Sequence, residues 1–527
     1  MRPPRRRAPT HCDGGNLSVA LDDLLRPIPA DLWWGPPPEL PVIAIRGLCC
    51  DSRRARAGEL FFALRGTRRD GTRFVGEAVA RGVAGVVSEA ALDLPAGRVG
   101  LRVRDARRAL GICAAQFHGR PSRRVRVVGI TGTDGKTSSA WFARHLLARQ
   151  GRRAVALGTL GILDAQGRTR DWQPGSSGEV EVARTWHPTT PEAPRFQATL
   201  AALAAEGVED VVCEVSSHAL AQDRVYGTQF AAVALTHLAT DHLDYHGSAE
   251  AYRAAKARLF ARETRGGPLE ERPVLAVLNL DDPLGRMLAT RSEDPRMTYG
   301  RDRGARVRCL RTEESPAGIR LSWSFDGQPR EIATPLHGEF HATNLLTAAA
   351  ICYGLDVRPA AIASALEQMP PVPGRFEALH EGQPFAVIVD YAHTTDGLGS
   401  LLRAARQIDR GRLIVVFGCG GDRDARKREA MGRVAGRLAD HVVVTSDNPR
   451  SESPRAIAEQ ILGGLRGGRA SWEVELDRRA ALARGVALAR RGDILVAAGK
   501  GAEAQQIHAG HIEEIDDREV LRSLLRS

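Results

Sequence analysis

The segment from Gly132 to Ser138 contains the residue types that point most directly to chemistry. It reads GTDGKTS and lies between an apolar run at 125–130 and a run with helical periodicity. A glycine-rich turn that opens a helix presents backbone N–H groups to phosphate. Lys136 adds a cation for the outer phosphates, and Thr137 adds a hydroxyl for Mg²⁺. We therefore predict a nucleotide phosphate site made of Gly132, Thr133, Asp134, Gly135, Lys136, Thr137 and Ser138, with Lys136 catalytic.

Two features of this segment depart from the usual phosphate loop. The strict motif has glycine at the position of Ile130, and Asp134 brings a carboxylate into a cradle for anions. The alternative is an ordinary strand-to-helix turn that carries a surface lysine.

Acidic and imidazole side chains follow two further apolar runs. Glu214 ends the run DVVCE, and three histidines, of which His242 is the second, lie within THLATDHLDYHG. Their spacing is not a usual zinc signature, and no cysteine joins them. Oxygen ligands suit Mg²⁺, so we predict that Glu214 and Thr137 bind it with His242 nearby, and that Glu214 and His242 are catalytic. For any one of these histidines, a loop residue bonded to the backbone is the alternative.

A second group of polar residues lies near the C-terminus. Asp447, Asn448, Pro449 and Arg450 follow the run HVVVTS, and Arg423 follows RLIVVFGCGGD. Asn-Pro forms turns, so a plain β-turn is one interpretation. Because a guanidinium group holds a carboxylate through two parallel hydrogen bonds, the two arginines also indicate an anionic substrate.

Strand-like apolar runs alternate with helical runs along most of the chain, which predicts an α/β fold with mostly parallel sheets. In such sheets, ligands bind at the carboxyl ends of the strands. Pro and Gly in PPVPGRFE interrupt the pattern and indicate a linker. We predict a frayed tail at 1–40 and three domains at 41–122, 123–370 and 371–527, with a P-loop-type central sheet and a Rossmann-like third domain.

Composition excludes several classes of protein. The chain has 527 residues, 43% hydrophobic and 26% charged, which is typical of soluble globular domains and not of disordered or membrane proteins. The net charge of +11 comes from scattered arginines, so nucleic acid and membranes are not expected partners. The eight cysteines form no C-x-x-C pair, which favours reduced thiols and a cytoplasmic location.

Together these segments resemble the Mur ligase family, and within it the type that adds the third peptide residue to the cytoplasmic peptidoglycan precursor. The resemblance runs in order from about residue 51 to the C-terminus. It is carried by DSRRARAGELFFALRG, GTDGKTS, TTPE, EVSSHAL, DHLDYHG, YRAAK, HGEFHATNLLTAAA, PGRFE, DYAHT, GCGGDRD, SDNPR and GKGAE.

The resemblance implies an N-terminal domain that binds a UDP-sugar, a central ATPase domain and a mobile C-terminal domain. Periodicity alone describes Lys256 as a solvated lysine on a helix. The resemblance implies instead that Lys256 is carbamylated, is catalytic and helps to hold Mg²⁺. The other implied contacts are Ser52, Thr67, Arg68 and Arg69 with the uridine nucleotide; Thr189, Thr190, Ser216, Gln222 and Arg224 with the muramoyl dipeptide; Asn344, Arg375 and Asp390 with ATP; and Arg423, Asp447, Asn448, Pro449, Arg450, Gly499 and Glu503 with the incoming amino acid.

The implied reaction is ATP-dependent addition of meso-diaminopimelate to UDP-N-acetylmuramoyl-L-Ala-D-Glu through an acyl phosphate, carried out by a monomer. Alternatives are a ligase that adds L-lysine or another amino acid, one that extends folate with glutamate, and a paralogue that binds the UDP-muramoyl peptide without catalysis. The last is motivated by departures from the family pattern at Asp134, His237, His341, Thr395 and Ala502.

Overall fold

The computed structural model describes residues 17–35, 40–66, 69–164, 169–170, 189–239, 241–291, 294–315 and 318–526. Its first domain is built on a parallel sheet in the order β3-β4-β5-β6. The elements are β1 (Val19–Ala20), α1 (Leu21–Leu25), β2 (Ala44–Ile45), β3 (Gly47–Cys49), β4 (Glu59–Ala63), α2 (Val75–Ala80), β5 (Gly85–Ser88), β6 (Val99–Arg102) and α3 (Ala106–Phe117).

The prediction of a frayed tail at 1–40 is wrong for residues 17–35. Leu21, Leu24 and Leu25 place apolar side chains on one side of α1, and all three are buried in the core of the first domain. Strand β1 also pairs with β2. Sequence reasoning missed this segment because α1 is only five residues long and prolines follow it. Residues 1–16 lie outside the described part of the chain.

The central domain contains an 11-stranded sheet in the order β10-β9-β8-β11-β7-β12-β13-β14-β15-β16-β17. The strands from β8 to β15 in that order run parallel, and antiparallel strands flank them on both sides. Its strands are β7 (Arg126–Thr131), β8 (Ala154–Gly158), β9 (Gly161–Leu163), β10 (Thr169–Arg170), β11 (Asp210–Glu214), β12 (Phe230–Leu235), β13 (Leu275–Asn279), β14 (Arg296–Gly300), β15 (Val307–Ser315), β16 (Gly318–Phe325) and β17 (Gln328–Thr334).

Helices cover both faces of the central sheet, so its middle strands are apolar on both sides. Val127 and Val128 in β7 point into two different core clusters, and both are fully buried. The helices are α4 (Lys136–Ala148), α5 (Ala193–Ala205), α6 (Ser217–Ala221), α7 (Leu243–His246), α8 (Ala249–Ala257), α9 (Arg262–Arg265), α10 (Pro283–Arg291), α11 (Glu339–Gly354) and α12 (Pro359–Leu366).

The third domain has a six-stranded sheet in the order β18-β19-β23-β20-β21-β22, parallel except for the β18–β19 pair, and a separate β24–β25 hairpin. The predicted α/β fold is confirmed. The elements are β18 (Glu377–Leu379), β19 (Ala386–Asp390), α13 (Thr395–Ala405), β20 (Leu413–Phe417), α14 (Arg426–Leu438), β21 (His441–Val444), α15 (Pro454–Leu465), β22 (Ser471–Val474), α16 (Arg478–Leu488), β23 (Ile494–Ala498), β24 (Gln505–His508), β25 (His511–Glu514) and α17 (Asp517–Arg526).

Two general properties follow from the described residues. Seven cysteines are free thiols, and five of them are buried as small apolar side chains. None of the described helices combines the length and the apolar character needed to cross a bilayer.

Candidate active site

The loop between β7 and α4 has the backbone of a phosphate cradle. Gly132 and Gly135 both have positive φ, and a Cβ atom on Gly132 would lie 1.8 Å from Thr236 Oγ1. A Cβ atom on Gly135 would lie 2.2 Å from Asn344 Oδ1, so both positions require glycine. Lys136 Nζ donates to the carbonyl oxygens of Gly132 (2.9 Å) and Thr133 (2.8 Å). The lysine thus folds back along the loop, and burial lowers its pKa.

A carboxylate and a hydroxyl form a buried oxygen pair beside this loop. Thr137 Oγ1 donates to Glu214 Oε2 over 2.9 Å, and the Thr159 backbone N–H donates to Glu214 Oε1 over 2.8 Å. Glu214 is 2% exposed. Among the described residues, no group of three or more His, Cys, Asp or Glu side chains is placed to hold a metal ion. The pair nevertheless fits Mg²⁺, which needs only one or two protein oxygens when substrate phosphates and water complete its shell.

Lys256 is not a solvated lysine. Its side chain on α8 is 1% exposed, Nζ donates to the Gly132 carbonyl over 2.6 Å, and Nζ lies 4.7 Å from the centre of the Tyr252 ring. Burial and then the neighbouring Lys136 lower its pKa well below the ordinary value for lysine. The helix periodicity is correct, but this residue faces the phosphate loop and not the solvent.

An aromatic and imidazole cluster forms another wall of the site. The His242 ring centre lies 4.8 Å from that of His218, which in turn lies 5.5 Å from His246 and 4.2 Å from Tyr245. Burial lowers the pKa of His218 and His242 to about 4, so both rings are neutral at pH 7. Sequence reasoning did not select His218 or Tyr245, although both lie within the segments EVSSHAL and DHLDYHG.

The residues expected to contact the muramoyl dipeptide lie together on the same side of the central domain. Arg224 donates to the Thr190 carbonyl and to Gln222 Oε1, each over 2.8 Å, and the Ser216 backbone N–H donates to Thr190 Oγ1 over 3.1 Å. Thr189, Ser216, Gln222 and Arg224 line the cavity described below, whereas Thr190 is fully buried and supports the loop.

The residues expected to contact ATP bring the linker and the third domain to the phosphate loop. Arg375 stacks on the Tyr391 ring at 4.1 Å and donates to Thr137 Oγ1 over 3.3 Å. Asp390 accepts hydrogen bonds from the backbone N–H groups of Phe376 and Ala392, both over 2.7 Å, and burial raises its pKa. Asn344 lies beside Gly135.

The residues expected to bind the incoming amino acid lie where β20, β21 and β23 end. Arg450 has a φ of 54°, and its guanidinium donates to the Gly421 carbonyl over 2.7 Å; burial, followed by the proximity of Arg423, lowers its pKa. Asn448 Nδ2 donates to Glu503 Oε2 over 3.1 Å. Asp447 Oδ1 is buried, and no described residue donates a hydrogen bond to it.

Gly499 and Pro449 shape this site through their backbones. A Cβ atom on Gly499 would lie 3.2 Å from Asp447 Oδ2, and one on Gly421 would lie 1.9 Å from the Pro449 carbonyl oxygen. Pro449 packs against Gly421 and does not line the cavity, whereas the other residues of this group do: Arg423, Asp447, Asn448, Arg450, Gly499 and Glu503.

The departures from the family pattern occupy different surroundings. Asp134 and His237 are paired as a single β-bridge beside the phosphate loop and line the cavity. His341 is buried between Phe142 and Phe340. Thr395 begins α13 directly after the Thr394 N-cap, a first-turn position where proline is also favoured. Ala502 lines the cavity and packs against Gly374.

One cavity of about 2220 Å³ joins the phosphate loop to the residues expected to bind the amino acid. Lys136, Thr137, Glu214, His242 and Lys256 line its central-domain side. The expected uridine contacts are elsewhere: Ser52 donates to Glu77 Oε2 over 2.6 Å in the first domain, and neither Ser52 nor Arg69 lines this cavity. Thr67 and Arg68 lie outside the described residues.

A loop with the backbone of a phosphate cradle shares a cavity with buried charged side chains, an arrangement that suits an ATP-dependent ligase. Family models match three parts of the chain: the Mur ligase middle domain at 130–352, the Mur ligase glutamate ligase domain at 374–501, and the catalytic domain of the Mur ligase family at 44–118. The chain belongs to the Mur ligase family.

Several relatives match almost the whole chain. A UDP-N-acetylmuramoyl-L-alanyl-D-glutamate–2,6-diaminopimelate ligase of Solibacter usitatus is 40% identical over 93% of this chain and 95% of its own. A protein of the same name from Gloeobacter violaceus is 43% identical over 92% and 95%. A solved structure with that name superposes with a TM-score of 0.63 at 29% identity, over 96% of this chain and 99% of its own.

A folylpolyglutamate synthase of Mycobacterium tuberculosis, solved with ADP and AMPPCP, has a TM-score of 0.58 at 20% identity. It covers 74% of this chain and 92% of its own, and it shows only that the fold is shared.

Proposed function

We propose that this protein joins meso-diaminopimelate to the D-glutamate carboxylate of UDP-N-acetylmuramoyl-L-Ala-D-Glu and converts ATP to ADP and phosphate, in the synthesis of the peptidoglycan precursor. One observation carries the proposal: the phosphate loop with Lys136 and the site around Arg450 line the same cavity. An activated acyl group formed at one end is therefore within reach of an amine bound at the other.

The carboxylate must be activated because its negative charge repels an amine and oxide is a very poor leaving group. In the first step, a carboxylate oxygen bonds to the γ-phosphorus of ATP and the bond to ADP breaks, giving an acyl phosphate. In the second, the amine attacks the acyl carbon, phosphate leaves with the bonding electrons, and the nitrogen loses a proton. Lys136 stabilises the charge that builds up on the transferred phosphoryl group.

Glu214 and Thr137 are the residues proposed to hold Mg²⁺, with His242 beside them. A bound Mg²⁺ would neutralise phosphate charge and orient the phosphates. The chain's own residues prepare this site: Thr159 fixes one Glu214 oxygen through its backbone N–H, and the Thr137 hydroxyl bonds to the other.

Lys256 is proposed to react with CO₂, so that its amine becomes a carbamate and one proton is released. Only the neutral amine reacts with CO₂, and burial beside Lys136 favours that form by lowering the pKa of Lys256. The carbamate places an anion, which can help to hold Mg²⁺, beside Lys136. The charged form of Lys136 is then attracted to residue 256, whereas a charged Lys256 would repel it.

The third domain is proposed to recognise both ends of meso-diaminopimelate. Asp447 and Glu503 are acceptors for an ammonium group, and Asp447 Oδ1 has no hydrogen-bond donor among the described residues. Arg450 is proposed to pair with the distal carboxylate, which L-lysine lacks. The site therefore contains a group that favours diaminopimelate over lysine.

The test is phosphate release from ATP in the presence of UDP-N-acetylmuramoyl-L-Ala-D-Glu and either meso-diaminopimelate or L-lysine. Phosphate release and a UDP-tripeptide that depend on meso-diaminopimelate support the proposal. Equal or greater turnover with L-lysine would contradict the assigned amino acid. Binding of the UDP-dipeptide with no turnover for either amine would favour the non-catalytic alternative, which the Asp134 carboxylate in the phosphate loop motivates.

We also propose that the enzyme acts in the cytoplasm as a monomer. Each group named above for the two steps comes from a single chain and lines one cavity. Light scattering after gel filtration is expected to give the mass of one chain, 56.9 kDa, at all protein concentrations. A dimer would contradict this part of the proposal.

A further inference from the structure

Two loops of the amino-acid site follow strands that are not neighbours. Asp447 comes shortly after β21, and Gly499 comes directly after β23, while β20 lies between these strands in the sheet. The loops converge over the end of β20, where a Cβ atom on Gly418 would lie 2.2 Å from the Thr445 carbonyl oxygen. Backbone pairing holds Val444 and Ala498 against Phe417 of β20, but Asp447 lies three residues beyond the end of β21, so its position relative to Gly499 depends on contacts outside the sheet.

Arg478 on α16 connects the two loops. Its guanidinium donates to the Ser446 carbonyl and to the Ala498 carbonyl, each over 3.1 Å. These two residues directly precede Asp447 and Gly499. The remaining donors bind the Asp517 carboxylate at the start of α17 over 2.8 and 2.5 Å. Both side chains of this pair are fully buried, and neither lines the cavity.

We propose that Arg478 is a positioning residue for the incoming amino acid, and this inference rests on the function proposed above. Its guanidinium holds the loop after β21 against the end of β23, and so places Asp447 and Gly499 at the separation that the amine site requires. Asp517 in turn holds the plane of the guanidinium. Arg478 does not touch the substrate, so its effect must appear in the affinity for the amine and not in the handling of ATP.

Lysine cannot replace this arrangement. A planar guanidinium presents donors in fixed directions, here to two carbonyls and one carboxylate at once. An ammonium group is a point charge with three donors, and it would leave at least one of the four acceptor oxygens without a donor. The element that contains that oxygen would then be held less tightly.

The experiment compares the wild type with Arg478→Lys and Arg478→Met in steady-state assays of phosphate release. We expect the KM for meso-diaminopimelate to rise at least 10-fold in Arg478→Lys and further in Arg478→Met. The KM values for ATP and for the UDP-dipeptide are expected to stay within 2-fold. A role in stability alone would lower the active fraction, and hence kcat, without changing the KM for one substrate.

Arg265→Lys is the matched control. Arg265 is also fully buried, and it donates to Glu270 Oε2 over 3.0 Å and to the Leu259 carbonyl over 3.2 Å in the central domain. Its replacement is expected to lower the melting temperature while the KM for meso-diaminopimelate stays within 2-fold. If this control raised that KM as much as Arg478→Lys does, the positioning role would be overturned.

Asp517→Asn provides the test if both Arg478 variants fail to fold, since it keeps the shape of the side chain and loses only its charge. We expect a 3- to 10-fold rise in the KM for meso-diaminopimelate. A KM within 2-fold of wild type in the folded variants would overturn the inference while the proposed function stands. Calorimetric titration of the wild type with meso-diaminopimelate distinguishes failure of the inference from failure of the proposed function. A wild type that neither binds nor uses this amine contradicts both.

Discussion

The Gly132 carbonyl oxygen accepts hydrogen bonds from two lysines, Lys136 over 2.9 Å and Lys256 over 2.6 Å. Two buried ammonium groups on one acceptor would repel each other strongly, because the protein interior screens charge poorly. The arrangement is stable only if one of the amines is neutral or has been converted to an anion. Burial lowers the pKa of both lysines, and that of Lys256 well below the ordinary value for lysine, which is why we propose that Lys256 is the one that changes.

Replacement of Lys256 by Ala is expected to remove most of the turnover. A short carboxylic acid such as formate should restore part of it, because it supplies the missing anion in the space that the side chain leaves. Phosphate release measured with increasing formate tests this rescue. Lys136→Ala is the control and should not be rescued, since it removes a cation. Unchanged activity in Lys256→Ala would contradict the role of this residue.

Arg450→Met is expected to raise the KM for meso-diaminopimelate about 30- to 160-fold, because a buried charge-assisted contact contributes about 2–3 kcal/mol. The weak activity with L-lysine should change little, since lysine has no distal carboxylate. The measurement is the ratio of kcat/KM for the two amines. Arg426→Met is the control, because Arg426 follows the neighbouring loop after β20, which contains Arg423, but is 68% exposed and pairs with Asp424. Loss of activity with both amines would show that Arg450 has another role.

His341 should make the stability of the protein depend on pH. Burial lowers its pKa to about 4, whereas the unfolded chain binds the same proton near the ordinary value of about 6.5. The unfolded state therefore binds more protons between these values, and stability falls as the pH drops through this window. Between pH 7.5 and 5.0, His341 alone should account for a loss of about 2 kcal/mol.

His341→Asn removes this group and should reduce the loss by that amount, as urea denaturation at the two pH values would show. Other buried histidines, such as His218 and His242, cancel in the comparison because both proteins contain them. Identical pH dependence in the two proteins would contradict the assignment of a neutral native histidine.

At the scale of elements, the strand–loop–helix unit at β7 and α4 could be predicted from the sequence because it is local. The apolar run, the glycines and the helical periodicity lie in one continuous segment, 125–148. The surroundings of Lys256 could not be predicted in this way. Its contact with Gly132 joins residues 124 positions apart, and the amphipathic pattern of α8 does not show that another loop covers its polar face.

Helix α1 shows a second limit of prediction from sequence. The segment is too short to give a clear helical pattern, yet it is part of the core of the first domain. Leu24 is fully buried and packs against α3, where Cys113 Sγ lies 3.8 Å from its carbonyl oxygen. We expect Leu24→Ala to destabilise the first domain by about 3 kcal/mol.

The measurement for Leu24→Ala is the unfolding transition of the first domain, followed by hydrogen exchange in α3, because a three-domain chain need not unfold in one step. Leu17→Ala is the control, since Leu17 is 43% exposed and should matter little. Equal protection in α3 of wild type and Leu24→Ala would contradict the place of α1 in the core.

At the scale of the whole molecule, the order of the sheets decides which predicted residues meet. The central strands β7 and β11 and the third-domain strands β19, β20, β21 and β23 all end at the one cavity. The carboxyl-end rule predicts a site at the edge of each sheet, but not that the two edges face each other. That relation depends on the linker, whose proline and glycine content reveals a boundary but not the angle at which the next domain follows.

Gly374 in this linker should control the relation between the two domains. It has a φ of +63°, and a Cβ atom there would lie 2.0 Å from the Ala502 backbone nitrogen, so Gly374→Ala must displace either the linker or the loop after β23. Arg375, the next residue, donates to Thr137 Oγ1 and would move with the linker. We expect kcat to fall at least 10-fold, while the affinity for the UDP-dipeptide, whose expected contacts lie in the first and central domains, stays within about 3-fold.

Gly382→Ala separates this effect from backbone strain. Gly382 also has a positive φ, +94°, but nothing lies within 4 Å of the Cβ position. Its replacement costs about the same in backbone energy, on the order of 1 kcal/mol, without a clash. If Gly382→Ala lowered kcat as much as Gly374→Ala, strain in the third domain would explain the loss. The expected result is that only Gly374→Ala lowers kcat. Small-angle scattering of this variant with both substrates bound should also give a larger radius of gyration than wild type. Both results together would show that the packing of the linker against the loop after β23 holds the phosphate loop close to the third domain.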